Sequence, residues 1–111
     1  MKKEQTMIAW VLKDSVTGKF YVTAGLELGG FDEAILLRTE GSRKAGISKR
    51  KTMMRHNIKL EKFIKGFERK GIDISHKAWT KRINFGKERE KLPNFGIVAI
   101  PLNIIPWDEN E

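Results

Sequence analysis

Six basic side chains between residues 51 and 69 have the type and spacing that phosphate binding requires. At about 100° of rotation per helical residue, they fall on one side of a predicted helix, opposite Leu60, Phe63 and Phe67. Several cations on one face can follow a phosphate backbone and release its condensed counterions, which gives affinity without sequence readout. The alternative is a Lys-rich helix that is simply solvated. The candidate nucleic-acid-binding residues here are Lys51, Arg55, Lys59, Lys62, Lys65 and Arg69.

A second group, in residues 79–89, interleaves aromatic side chains with cations. Trp79 and Phe85 could stack on unpaired bases while cations hold the neighbouring phosphates. The competing interpretation makes both aromatic residues part of the core of a short amphipathic helix. Both interpretations stay open at this level, so the candidates are Trp79 and Phe85 for base stacking and Lys81 and Arg82 for nucleic-acid binding.

The net charge of the chain is concentrated in the segment that contains both groups. Residues 43–91 carry 17 Lys and Arg against 5 Asp and Glu, a net of +12, whereas the whole chain has a net charge of +8. The flanking segments are therefore acidic, at −1 for residues 1–42 and −3 for residues 92–111. Such a basic block indicates a surface that meets an anionic partner, most often nucleic acid.

Residues that would support catalysis or bind a metal are sparse. The chain has no cysteine and only two histidines, His56 and His76, which is too few for the usual zinc or nucleophile arrangements. Acidic residues such as Asp32 and Glu88 lack the clustering that metal-dependent nucleases use. We therefore predict a protein that is not an enzyme, with no metal and no cofactor.

The start of the chain predicts a β-hairpin. Residues 7–12 and 19–24 are rich in apolar, aromatic and β-branched side chains, which favour strands. Between them, Asp14 can start a turn through its side chain, and Gly18 can supply the positive φ that closes it.

Two further strands are predicted outside this hairpin. Residues 34–39 form a short apolar run that fits either a strand or a helical turn, and we favour a strand. Residues 96–105 predict a closing strand. Pro101 has no N–H to give to a ladder, so this strand lies at a sheet edge or bends there.

The main helix is predicted near residues 50–70 and is expected to cover one face of the sheet. Its apolar residues fall within about 100° of one another and are Met53, Leu60, Phe63, Ile64 and Phe67. Asn57 is a plausible N-cap at which the helix kinks or restarts. Gly71 should end the helix in the left-handed conformation, with Ile72 contacting Phe67 as in a Schellman motif.

A second, shorter helix is predicted over residues 76–85. Ser75 is a good N-cap, and Ile74 with Trp79 has the spacing of a hydrophobic staple. Gly86 is expected to end this helix.

These elements predict one α+β domain over residues 1–111, with residues 43–91 as a basic helical segment inside it. The apolar run near the N-terminus is too short for a signal-peptide core, and no run reaches the roughly 18 apolar residues of a membrane span. A cytoplasmic location without membrane contact is therefore expected.

Parts of the chain resemble small orphan proteins of phages and prophages of Gram-positive bacteria. The resembling segments are residues 10–14, 17–21, 31–37 and 97–102. The resemblance implies an opening hairpin followed by a short strand and a helix, and it assigns no functional residue. It also implies a second option for function, because small phage proteins, anti-CRISPR proteins among them, often bind and block a host machine.

The leading prediction is non-catalytic nucleic-acid binding through the basic helix face, with little sequence specificity. The alternative is a protein-binding inhibitor or adaptor that blocks a host machine handling nucleic acid. The predicted partner is thus nucleic acid of either kind, or a host protein or protein–nucleic-acid complex, and a homodimer stays open.

Overall fold

The computed structural model describes residues 7–73 and 77–104, and these residues form an α+β fold. A four-stranded antiparallel sheet has the spatial order β3-β2-β1-β4. The strands are β1 (Met7–Asp14), β2 (Phe20–Tyr21), β3 (Leu28–Gly29) and β4 (Ile97–Ile104), and the helices are α1 (Glu40–Arg69) and α2 (Lys77–Lys87). The predicted fold class is confirmed, with one long and one short helix.

The N-terminal hairpin is formed by β1 and β2, as predicted, although β1 is longer and β2 shorter than expected. Lys13 lies opposite Phe20 in the antiparallel register. The turn begins at Asp14, whose carboxylate accepts hydrogen bonds from the Thr17 backbone N–H at 3.1 Å and hydroxyl at 2.7 Å. Gly18 has a φ of 74°, the positive value that the turn requires.

The predicted third strand over residues 34–39 is wrong in its extent. These residues contribute an isolated bridge between Leu37 and Trp10. The Trp10 N–H donates to the Leu37 carbonyl with an N to O distance of 2.7 Å, and the Leu37 N–H donates to the Trp10 carbonyl at 2.8 Å. The third strand is β3 instead, which precedes that segment in the chain. A two-residue strand gives no periodic signal, so sequence alone could not have separated it from a turn.

β4 lies at the edge of the sheet, and Pro101 sits in its middle, opposite Trp10. Both backbone polar groups of Trp10 bond to Leu37 and therefore point away from β4. Pro101 consequently directs its nitrogen to the free edge, where the missing N–H removes no ladder bond and hinders addition of another strand. The prediction of an edge position is confirmed.

α1 begins about ten residues earlier than predicted and continues without a break through Asn57. Thr39 caps its first turn by accepting a hydrogen bond from the Ser42 N–H at 3.0 Å. Its end follows the prediction. Gly71 has a φ of 78°, and the Ile72 N–H donates to the Phe67 carbonyl at 3.0 Å, the long bond of a Schellman motif.

The core lies between the sheet and the first half of α1. Its fully buried cluster consists of Leu12, Tyr21, Met54 and Ile97. α1 has 30 residues and so extends roughly 45 Å, whereas an eight-residue strand extends roughly 26 Å. The second half of α1 therefore projects past the sheet.

The expected packing of Leu60 and Phe67 onto the sheet is wrong. The buried residues of α1 are Arg50 and Met54, and neither Leu60 nor Phe67 belongs to the core cluster. Phe63 is 68% exposed. At about 100° per residue, Met54 lies roughly 120° around the axis from Leu60 and 140° from Phe67, so the side of α1 that meets the core differs from the apolar stripe.

α2 packs against the middle of α1, and Gly86 makes this contact close. A Cβ at Gly86 would stand 3.0 Å from the Met54 carbonyl oxygen and 3.0 Å from Ile58. Gly86 lies inside α2 and does not end it, because the helix continues to Lys87. The predicted Ser75 cap and the Ile74 staple lie outside the described residues.

Candidate nucleic-acid interface

The predicted basic face lies on one continuous helix, α1, and is here called the α1 cation face. Arg55, Lys62 and Arg69 are seven residues apart, so they recur at roughly 10.5 Å along the axis. Lys51 is half-buried and the other members are exposed. Together the face extends about 27 Å and consists of Lys51, Arg55, Lys59, Lys62, Lys65 and Arg69.

Three members of the α1 cation face have partners within the chain. The Lys51 ammonium donates to the Asn94 side-chain oxygen at 3.3 Å, and the Arg55 guanidinium lies 5.4 Å from the centre of the Phe95 ring. Lys65 pairs with Glu61 at 3.1 Å. For Lys59 and Lys62, the described part of the chain supplies no carboxylate partner, so their charges face solvent uncompensated.

Glu61 is the acidic residue that interrupts this basic surface. Its two oxygens accept from Lys87 of α2 at 3.0 Å and from Lys65 at 3.1 Å. The hydrogen bonds from Lys87 and Lys65 lower the pKa of Glu61. The carboxylate therefore stays ionised and neutralises part of the charge at Lys65.

Lys81 and Arg82 are exposed on α2, but on the other side of α1. They line a groove with Met53 and Asn57. Each of these two α1 residues is two positions from Arg55 and hence roughly 160° away around the axis. The structure therefore divides the predicted basic residues between two surfaces, the α1 cation face and the groove beside α2.

The two candidate stacking residues are in different surroundings. Trp79 is 36% exposed, so part of its ring is available. Phe85 packs against the core cluster, and the Arg89 guanidinium lies 3.6 Å from its ring centre. Phe85 is therefore half-buried against the core while it also lines the groove beside α2, and base stacking by this residue stays a prediction.

Two arginines of the basic segment are buried and structural, and the sequence did not reveal them. Arg89 donates to both oxygens of Asp14 at 2.8 Å and to the Phe85 carbonyl at 2.9 Å. Arg50 donates to the carbonyls of Gly25, Gly46 and Thr23 at 3.1, 2.9 and 2.6 Å. Both guanidiniums are thus satisfied internally and are withdrawn from any partner.

Burial and pairing shift the ionisation of these buried groups. Burial alone raises the pKa of Asp14, but hydrogen bonds from Arg89 and Thr17 outweigh it and hold that pKa below 3.8. Burial lowers the pKa of Arg50. Tyr21, whose hydroxyl has no hydrogen-bond partner among the described residues, has its pKa raised by burial to about 12. Each of these groups keeps one charge state at neutral pH, so none is poised for proton transfer.

The described residues contain no group of three or more acidic or histidine side chains placed to hold a metal ion. Within the same ranges, neither helix is both long and apolar enough to cross a membrane. No family model, curated protein or solved structure matches the chain. The resemblance to phage proteins therefore stays a prediction, and the function must be argued from the surface itself.

Proposed function

We propose that this protein binds nucleic acid without catalysis, through the α1 cation face. The observation that carries this proposal is the run of exposed cations from Arg55 to Arg69, along about 21 Å of helix, in which Lys59 and Lys62 have no carboxylate partner among the described residues. Lys59 and Lys62 can therefore contact phosphates without first breaking an internal ion pair. The computed isoelectric point of about 9.9 and the net charge of +8 act in the same direction.

Binding of this kind is driven by counterion release and reads little sequence. Lys side chains contact phosphate as point charges and carry no base information. If about five phosphates are contacted on duplex DNA, log K should fall against log salt with a slope of about −4.5. Both DNA and RNA offer the required phosphate backbone, so the proposal covers both.

The direct test is charge reversal on the face with a matched control. The triple variant Arg55→Glu, Lys62→Glu and Arg69→Glu should keep its fold, because these side chains are exposed. We expect fluorescence anisotropy to show loss of binding to any oligonucleotide. The control is Lys3→Glu, Lys19→Glu and Arg38→Glu, which has the same net charge but leaves α1 untouched. Equal binding by both variants would reject the α1 cation face as the site.

A second candidate function is a protein-binding inhibitor, and the partly exposed ring of Trp79 on α2 favours it. Protein interfaces depend on a few aromatic or Arg anchors more than on distributed charge. Under this alternative, Trp79→Ala would abolish capture of the target, whereas charge reversal on α1 would mainly slow association. Retained oligonucleotide binding by Trp79→Ala, together with its loss in the triple Glu variant, would favour the leading proposal.

A further inference from the structure

The projecting end of α1 carries two aromatic rings outside the core cluster, the exposed Phe63 and the half-buried Phe67. Phe63 is 68% exposed, the most exposed large apolar side chain among the described residues. Phe67 lies one turn further on, and the two ring centres are 6.3 Å apart with their planes inclined by 34°. Single exposed apolar residues are ordinary, but a paired aromatic surface on a polar helix calls for a partner.

A groove runs beside the two rings because residue 66 is glycine. The groove is lined by Lys62, Phe63, Gly66, Phe67 and Lys70, and we call it the aromatic groove. A Cβ at Gly66 would meet no other atom within 4 Å, so packing inside the protein does not require glycine there. Glycine in a helix interior costs about 1 kcal/mol relative to alanine, yet here it leaves the space open.

The aromatic groove is continuous with the α1 cation face. Lys62 belongs to both surfaces. At about 100° per residue, Gly66 and Lys70 lie roughly 40° and 80° from Lys62, and Phe63 follows at 100°. A chain that follows the cations would therefore pass directly beside the two rings.

We propose that the aromatic groove binds an unpaired base of a single-stranded nucleic acid whose phosphates contact the α1 cation face. Aromatic rings flanked by cations form the platform that non-specific single-strand binding uses, since every base has a face that can stack. This inference rests on the proposed function and adds a preference for single strands over duplex. In a duplex the bases are already stacked on one another and cannot enter the groove.

The charge of the groove rim favours a nucleic acid over a second copy of this chain. The charged residues that line it are Lys62 and Lys70, and no carboxylate does so among the described residues. Two copies meeting through this surface would bring like charges together, which is unfavourable. A single-stranded nucleic acid has phosphates that match the positive charge of the rim and flat aromatic bases that match the groove.

The test compares oligothymidylate with a blunt duplex of equal length, using the full chain. Gly66→Leu fills the groove while improving helix propensity, so unfolding cannot explain a loss. Gly66→Leu and Phe63→Ala, tested as separate variants, should each weaken single-strand binding by about 5- to 150-fold, the range for one stacked base. Duplex binding should change less than about twofold, because the phosphate contacts remain. Phe63→Tyr keeps a ring and should bind like the unaltered chain.

Several results would overturn the inference. The inference fails if Gly66→Leu and Phe63→Ala both keep the single-strand affinity of the unaltered chain. It also fails if the variants lose affinity for single strand and duplex by the same factor. A concentration-dependent dimer in sedimentation that Phe63→Ala converts to monomer would identify the groove as a self-interface instead. If the unaltered chain binds neither oligonucleotide, the proposed function itself fails, and that result is distinct from a loss of strand preference alone.

Discussion

The two halves of α1, residues 40–54 and 55–69, carry five cations each, but the first half alone buries one of them. In the first half, Arg43 lies 5.0 Å from the centre of the Trp10 ring, and Arg50 is buried against three backbone carbonyls. In the second half, Lys62 and Arg69 face solvent. The difference follows from what lies beside each half: the sheet and the loop at residues 23–25 for the first, and α2 on one side of the second.

This comparison shows that positive charge alone does not mark a binding residue. Arg has a planar guanidinium with several donors, which can satisfy a set of carbonyls or a carboxylate inside the protein. Arg50 and Arg89 use it in this way, so they contribute to the charge count of residues 43–91 without adding to the exposed charge. The useful signal is charge on the part of α1 that projects past the sheet.

The largest effect is expected from breaking the buried ion pair. Arg89→Ala leaves the Asp14 carboxylate buried without its partner and should destabilise the fold by about 3–5 kcal/mol. Arg82→Ala is the control, since that exposed arginine should change stability by less than about 0.5 kcal/mol. Urea unfolding followed by circular dichroism measures both. Similar midpoints for the two variants would show that Arg89 is not structural.

The next comparison is between apolar side chains in the two halves of α1. Met54 is fully buried, so Met54→Ala should cost about 2–5 kcal/mol. Phe63→Ala removes a larger side chain but should cost less than about 0.5 kcal/mol, because the ring is mostly exposed. Thermal midpoints measured side by side would check this. A larger loss for Phe63→Ala would mean that the projecting half of α1 is covered.

Replacing two glycines by alanine should change stability in opposite directions, because Gly86 lies in a close helix contact and Gly66 faces open space. Gly86→Ala places a methyl group 3.0 Å from the Met54 carbonyl oxygen, and the resulting overpacking should cost about 1–3 kcal/mol. Gly66→Ala meets open space and should instead stabilise the protein by up to about 1 kcal/mol. Both changes improve helix propensity, so opposite signs in chemical unfolding isolate the contact between α1 and α2. Equal signs would contradict the close approach at Gly86.

Local patterns in the sequence predicted the features that depend on neighbouring residues. The hairpin at Asp14 and Gly18 and the stop at Gly71 were of this kind. The Asp14–Arg89 pair joins residues 75 positions apart, and no local pattern encodes it. Arg50 had a partial signal, since it lies four residues before Met54 and thus on the same side of α1. Phe63 lies about 180° around α1 from the buried Met54, and the periodicity of the apolar residues does not show which side of the helix meets the sheet.

The smallest expected effect concerns pH and separates the buried from the exposed carboxylates. Asp14 has a folded pKa below its unfolded value of 3.8, so the unfolded chain binds protons more readily. Its stabilising contribution is therefore present at neutral pH and is lost as the pH falls below about 4. Glu61 also has a lowered pKa, but its lysine partners are exposed, at 61% for Lys65 and 45% for Lys87.

Salt should tell these two contributions apart. Ions screen exposed pairs beyond about 3 Å at 1 M, whereas a buried pair is screened much less. We expect the acid loss of stability to persist in 1 M NaCl for the unaltered chain and for Glu61→Gln. The acid loss of stability should be smaller in the double variant Asp14→Asn, Arg89→Met, which removes both buried charges together. The difference between the urea midpoints at pH 7 and pH 3 measures this loss. Loss of the acid dependence in high salt would place its origin on the exposed half of α1 instead of at Asp14.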